Sequence, residues 1–148
     1  MKNAICTVVG LVGAVIASAL GGLDVTLRSL LIFMAADYFT GLAAAIFGKS
    51  LKTVNGGLDS RVGWLGLCRK GLILLLVLVA HRLDMTLGTD YVRNTVVIGF
   101  MANELISITE NAGVLGLPMP TVIKKAIEIL KKEDDDNFDD QTNPLSGR

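Results

Sequence analysis

From Ala4 to Leu23 the chain carries no charged side chain. A helix of about twenty apolar residues is the length that crosses a bilayer's hydrocarbon core. A second run, Leu30 to Phe47, is broken by one charge, Asp37, and a third, Leu72 to Ala80, is dense in Leu and Val. One such helix fits inside a soluble domain. Three in 148 residues leave no polar face for water. Hydrophobic residues make up 51% of the chain but aromatics only 5%, few for a soluble core of this size. The expected fold class is therefore an all-α membrane protein.

The first run differs from a cleaved leader. It reaches full spanning length, and Leu20-Gly21-Gly22-Leu23-Asp24 is a poor small-x-small cleavage site, so a retained helix is expected. Cys6 and Cys68 read as small apolar fillers, with no metal-ligand spacing around either. Charge is uneven along the chain. Glu133 to Arg148 holds six acids and one base, which leaves thirteen bases against eight acids elsewhere. Bases in short loops stay on the cytoplasmic side. Lys49, Lys52, Arg61, Arg69 and Lys70 lie between the second and third runs, opposed only by Asp59. That loop is expected inside, and Lys124, Lys125, Lys131 and Lys132 place the C-terminal stretch there too.

Both ends inside requires an even number of crossings, and the fourth is expected between Tyr91 and Leu117. Asn94, Asn103, Glu104, Ser107, Glu110 and Asn111 interrupt this segment. It crosses only if its polar face meets protein or water. The competing reading is an interfacial helix, three spans and an outside N-terminus. The third span has two registers, Trp64 to Ala80 or Gly71 to Gly88. The second is preferred because Arg69 and Lys70 then form a cytoplasmic anchor. His81, the one histidine, reads as a packed or interfacial residue. Pro118 and Pro120 end the helical body. Residues 1–120 are expected as a transmembrane domain and 121–132 as an amphipathic helix on the membrane surface. The acidic stretch 133–148 is expected to be disordered.

Two faces of small residues are expected to pack helix against helix. In the first span Gly10, Ala14, Ser18 and Gly22 recur every four residues, beside Gly13, Ala17 and Gly21. In the second, Ala36, Thr40, Ala44 and Gly48 run beside Asp37, Gly41 and Ala45. Such faces let backbones approach closely in lipid. Asp37 lies midway along its span, where a carboxylate needs a partner, water or a proton. It reads either as a pore-facing site or as a protonated carboxyl bonded to a neighbouring helix. Asn103, Ser107, Glu110 and Asn111, flanked by Glu104, form a polar stripe. That stripe is either the wet face of an interfacial helix or the lining of an aqueous hole.

No metal spacing, phosphate-binding glycine loop or nucleophile elbow occurs, so an enzyme, a cofactor or a nucleic-acid partner is not expected. Four stretches in order resemble the toxin-secretion/phage-lysis holins, holin family 4. They are Asp37-Tyr38-Phe39-Thr40-Gly41-Leu42; Leu58-Asp59-Ser60 with Gly63, Gly66 and Lys70; Asn103 to Asn111; and Gly116-Leu117-Pro118-Met119-Pro120. The resemblance covers about Leu30 to Leu130. The acidic tail and His81-Arg82 depart from that pattern. The resemblance implies a self-associating protein of the host cytoplasmic membrane. It would open holes at a set time and release endolysin, a toxin or a secreted enzyme as cargo. Two other readings remain: an antiholin that co-assembles and delays opening, and a membrane adaptor without a pore.

Overall fold

The computed structural model describes residues 2–142. They form five helices: α1 (Lys2–Ala19), α2 (Val25–Ile46), α3 (Ser60–Leu87), α4 (Val92–Val114) and α5 (Thr121–Thr142), with no strand among the described residues. The boundaries follow local chemistry. The Asp24 carboxylate accepts from the Leu27 N–H at 2.9 Å and starts α2, and Asp59 does the same for α3 through Arg61 and Val62. Helix α1 stops where Gly22 N–H bonds Ala17 O at 2.9 Å and Gly21 N–H bonds Ser18 O at 3.1 Å. That closure puts Gly21 at φ +88°, a conformation suited to glycine. The expected first run to Leu23 is thus shortened by its own Gly-Gly turn.

Helix α4 begins without a side-chain cap of its own. Asp84, near the end of α3, supplies one: it accepts from Val92 N–H at 3.0 Å, Arg93 N–H at 2.8 Å and the Thr89 hydroxyl at 2.7 Å. The α3–α4 turn is therefore fixed by a single carboxylate.

Helices α2, α3 and α4 pack together, and α5 lies against α4. Asp24 bonds Arg93, and Asp37 bonds Asn111, so α2 and α4 run parallel with α3 antiparallel to both. Leu27, Leu30, Met34, Ile73, Val77 and Val97 form the apolar core, joined by Leu20 from the α1–α2 turn. Helix α1 has no helix partner of comparable extent among the described residues. Its Leu11, Val12, Val15 and Ile16 are exposed.

Polarity is inverted relative to a soluble domain. Asp37, Asp84, Arg93, Glu104 and Asn111 are all buried, while Ile32, Phe39, Leu72, Leu75 and Val79 face outward. Water would penalise both arrangements, and lipid favours both. Among the described residues, two helices, α2 and α3, are long and apolar enough to cross a membrane.

Three features differ from the sequence reading. The alternative registers of the third span are one continuous helix, α3, because nothing between Ser60 and Leu87 breaks it. The amphipathic helix was expected to end at Lys132, but α5 continues to Thr142. No Gly or Pro occurs between Thr121 and Pro144, and Lys131 and Lys132 stand four residues before Asp135 and Asp136, a spacing helices tolerate well. Residues 143–148 lie outside the described residues. Finally, Lys70 is not a surface anchor beside Arg69. One residue along a helix turns the side chain by about 100°, so Arg69 faces out and Lys70 faces the bundle.

Candidate functional site

Three helices and one loop bring charged groups to a single place inside the bundle. The Lys70 ammonium on α3 donates to Asp37 Oδ2 on α2 at 2.9 Å and to Glu104 Oε2 on α4. Asn111, two turns beyond Glu104, donates to Asp37 Oδ1 at 3.1 Å and to the Thr40 hydroxyl at 3.1 Å. Thr40 in turn donates to Ala36 O at 2.9 Å. From the α2–α3 loop, Lys52 reaches Ser107 Oγ at 3.1 Å and lies 3.6 Å from Asp37 Oδ1. The Lys70, Asp37 and Glu104 side chains are 15%, 9% and 7% exposed, whereas Lys52 is 48% exposed. Two carboxylates thus face one buried and one half-exposed ammonium, and the charge balances only with both.

Such a cluster holds the helices by directional bonds where lipid removes most of the hydrophobic drive for association. It also stores desolvation cost, because each charge depends on its partners. No group of three or more metal-ligating side chains occurs among the described residues.

The polar stripe expected on the fourth segment divides in two. Glu104 and Asn111 turn inward and are buried, Ser107 sits at the edge under Lys52, and Asn103 and Glu110 face outward. Of the small residues on α2, Gly41 is closely packed: a Cβ there would lie 3.4 Å from Asn111 Nδ2. Ala44 is buried and Ala45 half-buried. On α1 the surroundings are open. Gly10, Gly13, Ala14 and Ser18 are exposed, and a Cβ at Gly10, Gly13 or Gly22 would meet nothing within 4 Å. Ala17 is half-buried, and Gly21 is crowded by the Arg93 and His81 side chains.

A second polar tie closes the opposite end of the bundle. Buried Arg93 donates to Leu20 O at 2.6 Å, Gly22 O at 3.2 Å and both Asp24 oxygens at 2.8 and 3.1 Å. The guanidinium hydrogen bond holds the Asp24 carboxyl below its usual range, against the opposing effect of partial burial. Arg93 thereby ties the α1–α2 turn to the start of α4. Sequence reasoning missed Arg93, Asp84 and the inward role of Lys52. The available signal was charge on the same expected side of the membrane: Asp24 and Arg93 both flank outer turns. Cys6 and Cys68 are free and exposed.

Charged groups gathered inside a bundle with an apolar exterior define a helical membrane protein. The profile of the bacteriophage holin family matches residues 14–132, and the chain belongs to that family. It is 32% identical over 107 residues to a probable holin of Bacillus phage phi105, covering 72% of this chain and 74% of that protein. An uncharacterized protein of Listeria innocua is 38% identical over 125 residues, 84% of each chain. Another from Halalkalibacterium halodurans is 40% identical over 131 residues, 82% of this chain and 92% of the relative. No solved structure matches the chain.

Proposed function

We propose that the protein is a holin that accumulates in the bacterial cytoplasmic membrane, self-associates and opens holes for timed lysis, with endolysin as the released cargo. The observation that carries this reading is the buried Asp37–Lys70–Glu104–Asn111 network inside an apolar exterior, in a chain of the holin family. In this reading α1 to α4 each cross the membrane, and both chain ends lie in the cytoplasm. Helix α4 can cross despite its charges because Glu104 and Asn111 are covered by α2 and α3. Residues 1–120 form the membrane body, and α5 lies at the cytoplasmic surface.

The network is stable while dry and fully paired. Assembly brings water beside it, and hydrated Asp37 and Glu104 no longer need Lys70. Asn103 and Glu110, already outward on α4, line the aqueous side of the assembly. Asp37 therefore favours an open, hydrated state, and its loss delays opening.

Induced expression in a bacterial host, with a cytoplasmic reporter enzyme followed in the medium, tests this. The native chain is expected to release the reporter abruptly at a reproducible time. Asp37→Asn should reach the same membrane abundance and release late, with Asp37→Leu later still. Retention of the reporter by cells holding the native chain at full membrane abundance would remove the hole-forming reading.

A further inference from the structure

The loop between α2 and α3 is a folded element with an unusual surface. Ser50 N–H bonds Gly56 O at 2.9 Å, and Gly56 N–H bonds Thr53 O at 3.2 Å, so the loop closes on itself. Gly56, at φ +69°, sits too close to the Gly48 carbonyl for any side chain. Lys52 pins the loop to the bundle through Ser107 and Asp37. Gly48 lies eleven residues, about 16 Å of helix, beyond Asp37, so the loop folds back along the bundle for Lys52 to reach it.

This ordered loop turns apolar side chains away from the protein. Val54 is fully exposed, and Phe47, Leu51 and Leu58 are each more than 60% exposed. Trp64, one turn into α3, is 68% exposed. Lys49 and Arg61 stand among them, exposed and without an acidic partner among the described residues. Apolar prongs interleaved with unpaired cations, next to a tryptophan, match the boundary between acyl chains and anionic headgroups.

We infer that residues 47–64 form a foot that seats in the membrane interface and binds anionic phospholipid headgroups through Lys49 and Arg61. The apolar side chains enter the acyl boundary, and the two cations meet lipid phosphates. Lys52 stays turned inward, so headgroup binding beside it bears on the ammonium that completes the buried network. This rests on the membrane reading above but not on hole formation. Its test involves no lysis, so the two fail separately.

Trp64 is the single tryptophan and reports the foot directly. The full chain in neutral detergent micelles is titrated with phosphatidylglycerol, phosphatidylcholine or inorganic phosphate while Trp64 emission is followed. Phosphatidylglycerol is expected to give a saturable blue shift at a concentration roughly fivefold or more below phosphatidylcholine. Inorganic phosphate alone should give none. Lys49→Ala with Arg61→Ala should raise the half-saturating phosphatidylglycerol concentration roughly twentyfold. Arg28→Ala with Arg82→Ala, at the opposite end of the bundle, should leave it unchanged. Equal responses to the two lipids, an unaltered titration in the Lys49/Arg61 variant, or loss of the response in the Arg28/Arg82 variant would each overturn the inference. So would a matching shift with inorganic phosphate.

Discussion

Lys70 is the residue on which the bundle's charge turns. Among the described residues it alone bonds both Asp37 and Glu104, and it is nearly buried. Replacing it with Met keeps the side-chain length but leaves two carboxylates facing each other without that cation. Breaking a buried pair by removing one partner costs about 3–5 kcal/mol. We therefore expect Lys70→Met to lower the thermal unfolding midpoint of the purified protein in detergent, followed by circular dichroism. Adding Asp37→Asn and Glu104→Gln removes the unpaired charges and should restore most of the loss. Equal unfolding of Lys70→Met and the native chain would mean that the cluster contributes nothing to stability. Arg93 has a comparable position at the other end, where it satisfies two backbone carbonyls and Asp24 together.

Helix α4 shows how one element serves two environments. Its 3.6-residue period puts Glu104 and Asn111 on the side covered by α2 and α3, and Asn103 and Glu110 on the uncovered side. A helix-wide hydropathy reading merges these faces and scores the segment as weakly apolar. The two faces make different demands: the inner one needs partners within the chain, the outer one needs water or another subunit. With Cys6 and Cys68 replaced by Ser, Glu110→Cys should react rapidly with a membrane-impermeant maleimide once holes have opened. Asn111→Cys, buried against Asp37 and Thr40, should react far more slowly at the same time. Matched rates would place both faces in one environment and contradict the assignment of the outer face to the aqueous side.

At the scale of the whole molecule, α2, α3 and α4 form a body held at one end by Arg93 and inside by the Lys70 cluster, with α1 attached mainly through its turn. Basic residues gather in the α2–α3 loop and on α5, which predicts both ends in the cytoplasm. In a cysteine-free background, a cysteine at Thr26 should be labelled by an impermeant reagent added to intact cells, and one at Ser146 only after permeabilisation. Labelling of Ser146→Cys alone in intact cells would reverse that topology. The apolar face of α1 is exposed, and its small residues Gly10 and Gly13 leave open space beside them.

Much of this protein was already legible in the sequence, because its evidence is local. Runs of apolar residues show where α2 and α3 lie, and Gly88 ends both the preferred register of the third span and α3. Ordered motifs named the family that the profile match bears out. The chemistry of Asp37 was legible too: a carboxylate in an apolar helix needs company. Which company it keeps was not legible. Lys70 looked like an anchor because hydropathy records depth along a helix and not the direction a side chain faces. Only the packing of α3 against the α2–α4 pair turns Lys70 inward, separates it from Arg69 and brings residues 33 and 34 positions apart into one ionic cluster. For Arg93 the sequence offered only its place beside an outer turn, on the same expected side as Asp24. Its partners lie about seventy residues away, and their meeting is a property of the assembled bundle and not of any segment.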